Sequence, residues 1–269
     1  MLALHGCSQD AVSFADDTRF NDLAERDTFV VAYPDQPSSA NAGKCWNWFL
    51  PEHQRRGEGE PSLLAGIARS VATEFRISRR RTHVAGLSAG GAMAVLLGAT
   101  YPDVFASIGV SAGLEYKAAE DLLSSAVALQ LGGPDPDGRG TLAHAAMADA
   151  ARIVPAIVFH GDLDQTVRPV NADQVIAQWA QTNDLADDGA DDDSVAATAP
   201  EVVTGTAPGG RSWTRSSYAP TRRGPLLEKW IVHGMTHKWS GGAPGKAFTD
   251  SAGPDASAEM LRFFAAHSR

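Results

Sequence analysis

The sequence predicts an α/β fold, a mostly parallel central sheet with helices on both faces. Short apolar runs alternate with helical patterns along the whole chain, from Leu2–Leu4 to the pattern at 256–266. The chain has 269 residues, 43% of them hydrophobic, which is enough for a sizeable buried core. It contains no internal repeat and no clear linker, so residues 1–269 read as one domain.

The elements follow in order. Leu2–Leu4 reads as a short buried strand ending at Gly6. Asp10 is placed to cap a helix running to about Arg26, with Val12, Phe14, Phe20 and Leu23 along one stripe. Phe29–Tyr33 reads as a second strand, stopped by Pro34. A loop from Asp35 to about Pro61 carries the aromatic cluster Trp46-Asn47-Trp48-Phe49, which argues against disorder. Helices are predicted over 62–75, 89–100, 118–129, 142–151, 170–181 and 256–266. Strands are predicted over 82–87, 106–111, 157–160, 212–218 and 227–232. Six Asp in the ten positions 184–193 predict a solvated, mobile acidic loop, placed at 183–205.

Charge and composition exclude several classes. A net charge of −9 disfavours a polyanionic partner such as nucleic acid. No stretch approaches the roughly 18 unbroken apolar residues of a membrane helix. Met1–Leu4 is apolar but too short for a signal peptide. Two cysteines, Cys7 and Cys45, lack zinc-ligand spacing.

The chemistry-bearing motif lies between the strand at 82–87 and the helix at 89–100. Gly86-Leu87-Ser88-Ala89-Gly90 is G-x-S-x-G in strand–turn–helix context. A tight turn that strains the Ser backbone needs neighbours nearly free of side chains, and the helix N-terminus then points N–H groups at the nucleophile. An acid and a histidine are expected downstream, in that order. Asp162 and Asp164 both lie on the turn after the strand at 157–160; His233 and His237 both lie after the strand at 227–232. The pair His233-x-x-x-His237 lacks the Glu and third ligand of a zinc site, so no metal is expected. His160 is read as support for the acid turn. Oxyanion donors are expected at the Ala89 N–H and, in the His5-Gly6-Cys7 turn, at the Cys7 N–H.

The segments Leu4-His5-Gly6-Cys7-Ser8-Gln9, Cys45-Trp46-Asn47-Trp48-Phe49, Gly86–Gly91 and Gly234-Met235-Thr236-His237-Lys238-Trp239-Ser240-Gly241-Gly242 together are specific. With them the chain resembles the polyhydroxybutyrate depolymerase family of esterases, α/β-hydrolases akin to feruloyl and acetylxylan esterases of carbohydrate esterase family one. The resemblance runs from Leu4 to about Phe264. It implies Ser88 as nucleophile, Asp164 as acid and His237 as base. The family turn H-G-x-x-D-x-x-V matches His160 to Val167 and selects Asp164 over Asp162; the last motif selects His237 over His233.

The resemblance further implies a Cys7–Cys45 disulfide and with it a secreted or periplasmic location. It implies hydrolysis of polyhydroxybutyrate-type esters or short-chain acyl esters, with feruloyl or acetylxylan esters as the alternative. No cofactor is expected, and the expected partner is a small or polymeric ester; oligomeric state is left open. Trp46, Trp48 and Trp239 are expected to line the substrate pocket. Family members usually carry another strand pair before the H-G-C turn; here the sheet is expected to lack it.

Overall fold

A computed structural model describes residues 1–222 and 224–268 of the chain. Seven strands form one sheet: β1 (Leu2–Leu4), β2 (Val84–Leu87), β3 (Ile108–Ser111), β4 (Ala156–Gly161), β5 (Glu201–Thr206), β6 (Ser212–Thr221) and β7 (Gly224–Val232). Their spatial order is β1-β2-β3-β4-β7-β6-β5. The first five in that order are mutually parallel; β6 and β5 add an antiparallel edge. β8 (Trp239–Ser240) and β9 (Thr249–Asp250) form a separate small pair.

Side chains alternate across the sheet with the period of two that strand geometry imposes. Leu2, Leu4, Val84, Val110 and Val158 face one core; Ala3, Ala85, Ile157 and Phe159 face the other. The first core is covered by α3 (Gly59–Glu74), α4 (Ala89–Thr100), α6 (Pro136–Met147) and α7 (Val170–Asp187). The second is covered by α1 (Ala11–Thr18), α2 (Phe20–Asp27) and α8 (Ala256–Ala266). α4 reads Ala-Gly-Gly-Ala-Met-Ala-Val-Leu-Leu-Gly-Ala-Thr and is buried at every position, as a helix without a polar face must be. The remaining helix, α5 (Leu122–Leu131), starts at a capping box between Asp121 and Ser124. No helix among the described residues is long and apolar enough to cross a membrane.

The expected mostly parallel sheet is present, with several local corrections. The helix expected from Asp10 to Arg26 breaks at Arg19, whose φ of 58° is left-handed and ends α1. The expected strand at Phe29–Tyr33 reduces to a bridge at Ala32. Among the described residues, the Met1 ammonium, the Ala3 N–H and the Ala32 N–H bond there to the Val30, Ala32 and Met1 carbonyls, and Pro34 just beyond has no N–H. The helix expected at 142–151 begins earlier, at Pro136, because Asp135 caps it and Pro suits a first helical position. The acidic loop is shorter than 183–205: α7 continues to Asp187 and β5 begins at Glu201. Asp184 is buried, and its carboxylate accepts from the N–H groups of Asp192, Asp193 and Val195 and from Ser194 Oγ. Those donors come from residues ten or so positions on, which is why local composition did not reveal the turn.

Cys7 and Cys45 are joined by a disulfide across 38 positions. The bond ties the turn after β1 to the aromatic loop. Losing the chain-entropy restriction of a loop this long costs about 4 kcal/mol. Urea unfolding with and without a reducing phosphine should show a stability loss of that order on reduction.

Glu115, after β3, is buried, and neither carboxylate oxygen has a hydrogen-bond partner among the described residues. Burial pushes its carboxyl up from the usual 4.5 to about 8; Arg139 opposes this, while Asp135 and Asp137 add to it. The native chain therefore holds a proton that the unfolded chain releases. This contribution is full below about pH 4.5 and is lost as pH rises towards 8. Melting temperatures at pH 5, 6.5 and 8 should fall more steeply for wild type than for Glu115→Gln. Equal slopes would contradict this account of Glu115.

Candidate active site

Four parallel strands deliver the candidate residues at their C-terminal ends, where open α/β sheets place their sites. β1 leads into His5-Gly6-Cys7, β2 into Ser88, β4 into Asp162 and Asp164, and β7 into His233 and His237.

Ser88 has φ 58° and ψ −121°, a strained conformation for a residue with a side chain. Its backbone is held on both sides: its N–H donates to Ser111 O at 2.8 Å, and its carbonyl accepts from Ala92 N at 2.9 Å. Two glycines make the turn possible. A Cβ on Gly86 would overlap the carbonyl of Gly90, and a Cβ on Gly90 would overlap the carbonyls of Leu4 and His5. The elbow thus packs backbone to backbone against the end of β1.

That packing sets the turn after β1. The Gly6 N–H donates to Gln9 Oε1 at 2.9 Å, and Gln9 Nε2 donates to Asp17 at 2.8 Å. The Trp46 indole N–H donates to His5 O at 3.0 Å. His5 Nδ1–H donates to Gly6 O at 2.7 Å, which leaves Nε2 to accept from the Gln36 N–H at 3.0 Å. The N–H groups of Cys7 and Ala89 have no acceptor among the described residues, and both residues line the cavity above Ser88.

His237 Nδ1 donates to Asp164 Oδ2 at 2.7 Å. The other Asp164 oxygen accepts from the Thr166 and Val167 N–H groups, each at 2.9 Å. Burial pushes the Asp164 carboxyl up, but the His237 bond and charge and the Val167 N–H outweigh it and hold the group below the usual carboxylate range. His160 is buried and its Nε2–H donates to Val167 O at 2.8 Å, so it braces the acid turn as expected. Burial pushes its imidazole below the ordinary histidine range, and the bond to Val167 opposes this. Asp162 pairs instead with His233, at 2.9 Å.

Ser88 and His237 line one cavity of about 360 Å³. Two larger clefts, of about 790 and 740 Å³, lie at Val30, Ile77 and Phe264 and at the β5–β7 edge; neither holds Ser88, Asp164 or His237. Chemistry rather than size selects the smaller one. Trp48 lines it. Trp46 and Trp239 do not, which corrects the expectation for both. Trp46 is buried behind the wall, spending its N–H on His5 O. Trp239 lies in the second core, edge-on to Phe14 and Phe20, with its N–H donated to Ser257 Oγ at 3.0 Å. The sequence reading missed Gln9, Leu114, Leu122, Ser125, Leu129 and Phe248, which also line the cavity. Only Gln9 had a local signal, its place in the turn after β1. The others arrive from elements distant in sequence.

With this geometry in place, comparison with known proteins gives a consistent result. A family model described as Esterase PHB depolymerase matches residues 1–203. The chain is 31% identical over 245 residues to poly(3-hydroxyalkanoate) depolymerase C of Paucimonas lemoignei, covering 88% of this chain and 54% of that one. The chain thus spans about half the length of that relative. It is 26% identical over 234 residues to acetylxylan esterase A of Aspergillus oryzae, covering 84% of this chain and 72% of that one. Among solved structures, an acetyl xylan esterase from Aspergillus awamori superposes with a TM-score of 0.75 at 21% identity, covering 98% of this chain and 88% of that one. The fold is that of the α/β-hydrolase esterases, and by its sequence match the chain belongs to the PHB depolymerase family of esterases.

Proposed function

We propose that the chain is a serine esterase in which Ser88, His237 and Asp164 act as nucleophile, base and acid. The observation that carries this is the convergence of three separate loops. A strained Ser88 and the carboxylate-bound His237 line one cavity together with Cys7 and Ala89, whose N–H groups have no acceptor among the described residues.

Ser88 Oγ attacks the ester carbonyl while His237 Nε2 takes its proton. The bond from Nδ1–H to Asp164 fixes the tautomer that leaves Nε2 free to do so, and the carboxylate stabilises the resulting cation. The N–H groups of Cys7 and Ala89 receive the developing oxyanion, each contributing about 3 kcal/mol to the transition state. His237 then protonates the leaving alcohol, and water regenerates Ser88 through the reverse sequence. These residues complete the cycle without a cofactor.

The cavity wall is largely apolar, with Trp48, Phe49, Leu114, Leu122, Leu129 and Phe248. This favours an aliphatic acyl ester of the hydroxyalkanoate type, in keeping with the Paucimonas relative. Acetylxylan is the second reading, favoured by the Aspergillus oryzae relative, which the chain matches over most of that protein's length. The Cys7–Cys45 disulfide supports an oxidising compartment, outside the cytosol or in the periplasm.

Purified protein should hydrolyse p-nitrophenyl acetate and butyrate, and Ser88→Ala should lower kcat by on the order of 10⁵–10⁶-fold. Folded protein with no Ser88-dependent turnover would sink the reading. Hydroxybutyrate oligomers against acetylated xylan then separate the two substrates. Asp164→Asn should cost about 10⁴-fold in kcat, the loss the same change causes in a Ser-His-Asp protease by disturbing the tautomer. Steady-state kinetics beside a melting curve checks that the loss is chemical rather than structural.

A further inference from the structure

The loop carrying His237 is held by two carboxylates, and only one of them belongs to the proposed triad. Asp162 and Asp164 sit two residues apart on the turn after β4, and each takes one histidine of His233-x-x-x-His237. Asp164 holds His237 at 2.7 Å, and Asp162 holds His233 at 2.9 Å. Asp162 does more than pair: its second oxygen accepts from the Gly234 N–H at 2.7 Å. His233 is anchored from behind as well, since its Nε2 meets Thr214 Oγ1 on β6 at 2.9 Å and its N–H donates to Ser212 O at 2.9 Å. Between the two pairs the loops are stitched by Leu163 N–H to Met235 O at 3.0 Å. They pass so close at Gly161 that a Cβ there would overlap Met235 O.

From this geometry we infer that Asp162 and His233 form a second Asp–His pair whose work is to position His237. The inference rests on the triad reading above. Asp162 fixes the start of a five-residue loop, and His237 is its far end. The Asp162 and His233 side chains are 37% and 41% exposed, whereas Asp164 is fully buried. Exposed ion pairs contribute little to stability. Placement is a different matter, because a shift of about 1 Å in a reacting group costs on the order of 10²-fold in rate. The pair should therefore matter far more to kcat than to folding. Asp162 is not among the residues lining the Ser88 cavity, so it is a positioning residue.

The test uses the full chain and p-nitrophenyl butyrate. Asp162→Ala should lower kcat by about 10-fold or more, since displacement of the loop end is only partial, with KM and melting temperature nearly unchanged. Asp162→Asn should recover most of that loss, since its amide oxygen still accepts from Gly234 and its NH₂ can donate to His233. His233→Ala removes the same pairing from the other loop and should also lower kcat, though less, because the Asp162–Gly234 bond remains, and it also decides the matter if Asp162→Ala does not fold. In a His237→Ala background, Asp162→Ala should add nothing to the residual rate. Full kcat in both Asp162→Ala and His233→Ala would overturn the inference, and so would an undiminished effect of Asp162→Ala without His237. A His237→Ala variant with wild-type kcat would overturn the triad reading itself, an outcome distinct from the other two.

Discussion

The site depends first on a contact between backbones. Gly90, one turn into α4, lies against the carbonyls of Leu4 and His5, and Gly86 lies against the carbonyl of Gly90. No side chain fits in either place. This lets the elbow and the turn after β1 share one small volume. Cys7 and Ala89 then line a common cavity although they are more than eighty residues apart in sequence. The strain at Ser88 persists because the hydrogen bonds to Ser111 and from Ala92, and the fully buried α4, leave the backbone no alternative.

Around that contact the chain spends buried polar groups on holding turns still. Glu60, near the start of α3, is buried and accepts from Gln36 Nε2, Asn47 Nδ2 and the Asn47 N–H at 2.5, 2.7 and 2.7 Å. Gln36 also donates to Cys45 O and, through its N–H, to His5 Nε2. The aromatic loop, the disulfide and the turn after β1 are thereby one hydrogen-bonded unit. A buried network of this kind is costly unless satisfied, and a satisfied one specifies a single geometry. The proposed oxyanion donors, Cys7 and Ala89, need this, since such donors act only if they do not have to reorganise.

The histidine side is built differently. Asp164 is buried and ionised against the tendency of burial, held so by His237 and by N–H groups of its own turn. Asp162 is in solvent and pairs with a partly exposed histidine. Two carboxylates two positions apart on one turn thus have separate partners, and they differ in depth. Their order in sequence carries no trace of this, which is why the residues alone left both acids and both histidines open. The resemblance chose Asp164 and His237; these two are hydrogen-bonded, and of them His237 lines the cavity that holds Ser88.

Local information made much of the rest legible. Apart from Phe29–Tyr33, the apolar strand runs and the small-residue helix Ala89–Thr100 emerged close to their observed places, because burial on both faces demands apolar sequence whatever the partner. G-x-S-x-G was legible because Gly86 answers a steric need against Gly90 within five residues, although Gly90 itself lies against the remote Leu4 and His5 carbonyls. Where the reading failed, the deciding partner was remote. Trp239 looks like a pocket residue beside His237, yet Phe14 and Phe20 claim it for the core. Asp184 looks like part of a solvated acidic run, yet residues 192–195 fold back onto it. The sequence by itself determined the fold class, the strained serine turn and the pool of candidate groups, since each follows from short-range sterics or periodicity. Tertiary structure alone decided which carboxylate meets which histidine, which tryptophan faces the cavity and which apolar side chains wall it. Those are contacts between distant segments, fixed only when the sheet brings its strand ends together.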